Sequence, residues 1–164
     1  MSGLKAIYPG SFDPITNGHL DILDRSLKLF SEITIVVAGS GHKDPLFSPE
    51  ERIELIREVV RDRQSVQVDR WPGLIMDYSR QHKIPVLIRG LRAASDFEYE
   101  YMLAAMNHQI NSEVETVFMM TGEASFYISA SMVREIASFG RDVSMMAPTP
   151  VALALKAHFS STQV

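Results

Sequence analysis

Four stretches of the chain carry groups suited to holding phosphate. The first is Tyr8-Pro9-Gly10-Ser11-Phe12-Asp13-Pro14-Ile15-Thr16-Asn17-Gly18-His19. An apolar strand pattern ends there in a turn-rich loop that feeds a helix. Gly10 allows close backbone approach. Ser11 offers a hydroxyl at the strand tip, and Thr16 and Asn17 can cap the helix. Gly18 and His19 fall in its first turn, where unpaired N–H groups and the macrodipole favour an anion. A histidine ring there can donate to a phosphate oxygen in either charge state. A lone histidine would be read as a cap. The Thr-x-Gly spacing and the strand–loop–helix context point instead to function.

The second stretch is Leu87-Ile88-Arg89-Gly90-Leu91-Arg92, leaving a strand. Arginines at a strand end need an anionic partner if they are buried, and their forks suit phosphate. The third is Ser125-Phe126-Tyr127-Ile128-Ser129-Ala130-Ser131-Met132-Val133-Arg134. Ser129 is a good N-cap and, with Ser131 and free N–H groups, can cradle phosphate. The fourth is the loop 39–47, where Gly39, Ser40 and Gly41 give pliancy and Lys43 is a mobile point charge. His42 reads as an ordinary loop residue.

The elements that must position these groups alternate. Strands are expected at 4–8, 33–38, 66–69, 86–88 and 116–120. Helices are expected at 18–30, from Ser48, at 74–82, from Ser95 to about Ile110, at 129–139 and at 150–159. Ser48-Pro49-Glu50-Glu51 and Ser95-Asp96-Phe97-Glu98 both match a capping box, and Gly140 reads as a C-terminal cap. The fold class is therefore α/β, a doubly wound five-stranded parallel sheet, with all four stretches at the edge where the strands end. The helix from Phe97 to Ile110 has two apolar stripes, Phe97, Tyr101, Ala104 and Ala105 on one and Tyr99, Met102, Leu103, Met106 and Ile110 on the other. The second stripe fits either a subunit contact or burial within the chain.

The 164 residues, 18.4 kDa, suit a single domain over 1–164. Lys+Arg number 16 against 20 Asp+Glu, and this net charge of −4 argues against a general nucleic-acid binder. The absence of cysteine rules out disulfides and thiolate chemistry. No apolar run reaches the ~20 residues of a membrane span, and the N-terminus lacks signal-peptide character, so a cytoplasmic location is expected.

Thr16-Asn17-Gly18-His19 fits the [HT]-x-G-H mark of the nucleotidylyltransferase superfamily. The longer run from Tyr8 to His19 resembles the phosphopantetheine adenylyltransferase family of bacteria, with its Rossmann-like fold. Arg-Gly-Leu-Arg at 89–92, followed by Asp96-Phe97-Glu98-Tyr99-Glu100, extends the resemblance. So does Lys43 ahead of Pro45-Leu46-Phe47, although Asp44 stands where a basic residue is common. Ala130 departs from the family's usual hydroxyl.

The resemblance implies transfer of an adenylyl group from ATP to 4′-phosphopantetheine, giving dephospho-coenzyme A and pyrophosphate. It implies that His19, Lys43 and Arg92 are catalytic. Ser11, Lys43 and Arg89 would hold the acceptor phosphate, while Leu74, Ile75, Met106 and Asn107 would line the groove for its arm. Ser11, Phe12, His19, Gly90, Leu91, Arg92, Glu100, Ser125, Phe126, Tyr127, Ile128, Ser129, Ala130 and Ser131 would bind ATP. Arg134 would reach the outer phosphates. Mg²⁺ would travel with ATP, with no metal site on the protein. A homohexamer inhibited by coenzyme A is implied, with no nucleic-acid or membrane partner. Two rivals are a nucleotidylyltransferase for another acceptor, such as nicotinate mononucleotide, and a nucleotide-binding sensor without catalysis.

Overall fold

A computed structural model of the chain describes residues 3–39, 45–123 and 125–161. The elements run β1 (Lys5–Gly10), α1 (Asn17–Ser26), β2 (Glu32–Ala38), α2 (Pro49–Val60), β3 (Val66–Trp71), α3 (Ile75–His82), β4 (Val86–Leu91), α4 (Ala94–Ile110), β5 (Glu115–Met120), α5 (Ala130–Ser138) and α6 (Thr149–Ser161). The five strands pair in parallel in the order β3-β2-β1-β4-β5. The chain builds outward from β1 to β3, then returns to lay β4 on the other side of β1. Crossovers leave in opposite directions from β1 and β4, which opens a crevice at their C-terminal ends. β1 and β2 stay in register from Lys5 to Gly10, whereas β1 and β4 are registered at Ile7 and Leu87.

Alternation along the strands sorts the core onto two faces. On one face Tyr8, Ile35, Val37 and Ile88 pack with Ile22 of α1, Ile56 of α2, Val133 of α5 and Leu155 of α6. On the other, Ile7, Val36 and Leu87 pack with Met76 and Tyr78 of α3. Right-handed crossovers assign α1 and α2 to the first face and α3 and α4 to the second.

Local signals explain most boundaries. The Ser48 box forms fully, with Glu51 N–H donating to Ser48 Oγ at 3.2 Å and Ser48 N–H donating to Glu51 Oε2 at 2.8 Å. Gly140 has φ +71°, the left-handed cap that closes α5. Two expectations need correction. α1 ends at Ser26, and the chain continues in turns while Phe30 still reaches the core. α4 begins at Ala94 with Ala93 as its cap, so Ser95 lies inside the first turn and not at the cap position. Asp96 instead accepts the Arg92 backbone N–H at 3.1 Å.

The two-striped helix, α4, is not buried within its own chain. Tyr99, Tyr101, Met102 and Met106 are all exposed, and among the described residues of that helix Glu100 is the buried one.

Candidate active site

The loop after β1 is built around Phe12. Its φ of 45° is a left-handed backbone that bulky residues rarely adopt. Packing holds it there: the ring is fully buried, edge-on to Tyr8 at 5.4 Å and to His19 at 5.0 Å between centroids. A Cβ on Gly10 would lie 3.0 Å from that ring, so glycine here makes room for Phe12. Asp13 turns inward and is 7% exposed. Its carboxylate accepts the N–H groups of Leu46 at 2.8 Å and Phe47 at 2.9 Å, and Arg134 Nη1 at 3.0 Å.

Thr16 caps α1, and His19 completes the box. The Thr16 N–H donates to His19 Nδ1 at 3.0 Å. A nitrogen that accepts from an amide carries no proton, so the neutral ring keeps its proton on Nε2. Burial, with the charge of Arg92 adding to it, pushes the His19 pKa down to about 4. At neutral pH the side chain is therefore an uncharged Nε2–H donor at the start of a helix. The turn after β5 closes over Gly18, with the Ile128 and Ser125 carbonyls 3.5 and 3.6 Å from where a Cβ would be.

β4 delivers the arginines. Arg89 is bidentate to Glu100 of α4, Nε to Oε2 at 2.7 Å and Nη2 to Oε1 at 2.6 Å. Its Nη1 donates to the Pro9 carbonyl at 3.3 Å, across the gap where β1 and β4 part. Arg92 is more exposed and leans on Asp96, Nε to Oδ2 at 3.2 Å. At the far wall Ser129 caps α5, its Oγ accepting Met132 N–H at 3.1 Å and lying 3.1 Å from Ser131 Oγ.

These groups enclose a cavity of about 470 Å³ at the β1–β4 switch point. It gathers Ser11, Phe12, His19, Arg89, Gly90, Arg92, Ile128, Ser129, Ala130, Ser131 and Arg134 from the expected set. Other expected residues lie outside this lining. Glu100 stands behind Arg89, Leu91 is buried, and Ser125 belongs to the turn over Gly18. Phe126 and Tyr127 are exposed and pack edge-to-face. Leu74 and Met106 are exposed, Asn107 is half-buried on α4, and Ile75 packs into the second core cluster. Lys43, His42 and Asp44 lie outside the described residues. The cavity also brings in Tyr8, Asp13, Thr16 and Thr121, which the sequence reading did not assign to a site. Thr16 had a signal in its Thr-x-x-His spacing; Asp13 had none, because its partners are remote in sequence.

The family profile described as cytidylyltransferase-like matches residues 7–136. A phosphopantetheine adenylyltransferase of Syntrophotalea carbinolica is 50% identical over 159 residues, covering 97% of this chain and 96% of the relative. One from Anaeromyxobacter sp. (strain K) is 52% identical over 151 residues, covering 92% of each. Among solved structures, the lipopolysaccharide core biosynthesis protein of Thermoplasma volcanium superposes with a TM-score of 0.57 at 23% identity, over 74% of this chain and 99% of that one. This last likeness speaks to the fold alone.

Proposed function

The chain belongs to the phosphopantetheine adenylyltransferases, within the wider cytidylyltransferase-like family, and on that premise we propose how its own residues divide the reaction. The enzyme transfers the adenylyl group of ATP to 4′-phosphopantetheine, giving dephospho-coenzyme A and pyrophosphate in coenzyme A biosynthesis. The relatives' names favour this reaction over another acceptor or a silent sensor.

The attacking group is a phosphate monoester, largely ionised near pH 7 because its second pKa is about 6. It needs no strong base. An acceptor phosphate oxygen forms a bond to the α-phosphorus as the bond to pyrophosphate breaks in line. The difficulty is to align two polyanions and to stabilise charge on the α-phosphate oxygens, which orientation and fixed donors can do. The observation that carries this reading is the locked tautomer of His19, whose Nε2–H is left as a donor in a cavity shared with Arg89 and Arg92. His19 stabilises the transition state. Arg92, Gly90 and the α5 N-terminus with Ser129 and Ser131 hold the triphosphate, with Arg134 at its outer end. Phe12, Leu91, Glu100, Ala130 and the 125–128 turn complete the nucleotide site. Arg89 orients the acceptor phosphate, with Ser11 and Lys43, and Leu74, Ile75, Met106 and Asn107 line the path of its arm.

Among the described residues no group of three or more His, Asp or Glu is placed to hold a metal ion. Asp13 is committed to two N–H groups and Arg134. Mg²⁺ would be carried by the nucleotide, where it would neutralise phosphate charge. Coenzyme A, which contains both the pantetheine arm and an adenosine, would compete at the same cavity. The exposed apolar face of α4 fits a second copy of the chain, and the assembly is read as a homo-oligomer, a hexamer by family resemblance. All 164 residues are read as one cytoplasmic domain; among the described residues no helix is long and apolar enough to cross a membrane.

Mixing protein, Mg-ATP and phosphopantetheine and following pyrophosphate tests the reading. Release is expected with this acceptor and not with nicotinate mononucleotide. ATP binding without release would overturn the assigned roles.

A further inference from the structure

One buried cation stands behind the cavity wall and has no part in the reaction described so far. Arg52 of α2 is 2% exposed and is the one buried basic side chain among the described residues. No carboxylate of a described residue pairs with it. Taking a guanidinium out of water without a counter-charge is costly, and a well-packed apolar side chain of similar volume often folds as well or better. Packing alone therefore gives no reason for the charge. The fork spans two backbone carbonyls. Nη1 donates to Ser11 at 2.8 Å, and Nε donates to Ser48, the cap of its own helix, at 3.4 Å. The first of these bonds ties α2 to the loop after β1.

The Ser11–Phe12 peptide that Arg52 grips is the one that enters the left-handed turn at Phe12. An amide is planar and trans, so its carbonyl and its N–H leave opposite edges. Holding the carbonyl on the α2 side turns the Phe12 N–H away from α2. That N–H makes no hydrogen bond with a described residue. Ser11 and Phe12 line the cavity, whereas Arg52 does not. The same lining carries Arg89, Arg92 and Arg134 against a single carboxylate, Asp13, which is already committed to two N–H groups and Arg134. A bare amide donor among cations suits an anionic oxygen. We propose that Arg52 is a positioning residue, which locks the Ser11–Phe12 peptide so that the Phe12 N–H is aimed at a phosphate oxygen of a bound reactant. The inference deepens, and rests on, the reading of this cavity as the site where the reactants' phosphates are held.

The test is Arg52→Met in the full chain, with Arg52→Lys, which keeps the charge but not the fork, read in the same way should the first variant fail to fold. Inorganic pyrophosphate, phosphopantetheine and adenosine are titrated separately by calorimetry, and the Phe12 amide is followed by NMR. In wild type, pyrophosphate or phosphopantetheine is expected to move the Phe12 amide proton downfield, and the ligand that does so identifies the reactant whose phosphate it meets. In the variants that shift is lost. The Kd for the same ligand rises about tenfold, the scale of one hydrogen bond to a charged group, and adenosine binds as in wild type. A Phe12 amide indifferent to both phosphates overturns the proposal. So does unchanged affinity for both in the variants, or an equal weakening of adenosine and phosphate, which marks general damage. Unfolding of both variants under conditions where wild type is folded assigns Arg52 to stability and overturns it too. Wild-type protein that binds none of the three ligands would sink the parent reading, whereas wild-type binding with an unmoved Phe12 amide sinks this one alone.

Discussion

Replacing His19 separates two tasks that one ring performs. Nδ1 accepts the Thr16 N–H and so helps to cap α1, while Nε2–H is left for the α-phosphate. His19→Ala removes both. One preorganised donor to a developing oxyanion is worth about 2.7–4 kcal/mol, so kcat should fall by about 10²–10³. The lost reciprocal bond of the capping box should lower stability by about 0.5–1.5 kcal/mol. His19→Asn keeps an acceptor oxygen near the position of Nδ1 but does not reach as far as Nε2. Its urea midpoint should stay near wild type while kcat falls nearly as far as in the alanine variant. The pH dependence sharpens the test. The folded pKa of about 4 lies below the ordinary 6.5, so the unfolded chain binds a proton that folded His19 refuses between those values. Stability should fall as pH drops from about 6.5 to about 4, and this component should vanish in His19→Asn. Above about pH 5 the imidazole is already neutral. The kcat/KM profile should therefore have the same shape in wild type and His19→Asn, set by the acceptor phosphate near pH 6. Turnover near wild type in His19→Ala would refute the role. So would an inflection near pH 6.5 that disappears with the histidine.

Asp13→Asn keeps an acceptor but loses the charge that Arg134 and two backbone N–H groups share. Losing charged hydrogen bonds should cost about 1.5–3 kcal/mol in urea unfolding, and the KM for ATP should rise. Glu100→Ala frees the Arg89 fork from its bidentate partner. The KM for phosphopantetheine should rise about tenfold with a smaller change in the KM for ATP, read by varying each substrate in turn. Met102→Lys with Met106→Lys places charge on the exposed face of α4. Ultracentrifugation should show a smaller species than wild type, and an unchanged sedimentation coefficient would remove α4 from the contact.

Where a signal is local, the sequence carries it. The Ser48 box, the Ser129 cap and the left-handed Gly140 each depend on a few adjacent residues, and each forms as the pattern predicts. β-branched runs at Ile33 and Val66 read directly as strands. Where a position is set by distant parts of the chain, the pattern misleads or falls silent. Ser95-Asp96-Phe97-Glu98 matches a capping box, but the approach from β4 starts α4 at Ala94, and Asp96 is drawn to Arg92. Asp13, next to a proline, looks like a turn residue; its partners Leu46 and Phe47 come from the loop before α2 and Arg134 from α5. Tyr8 looks like an ordinary core aromatic, yet it stands in the wall of the cavity. Glu100 sits among exposed neighbours on α4, and its burial becomes visible only when Arg89 is placed beside it.

The arginines around the cavity each keep an acidic companion: Arg89 with Glu100, Arg92 with Asp96 and Arg134 with Asp13. A resting protein so furnished shows little naked positive potential to passing polyanions. A phosphate that approaches meets guanidiniums already aimed by their carboxylates, so a ligand that matches several of them at once gains most. Selectivity is thereby carried in the way the acidic side chains set the bearing of each basic one.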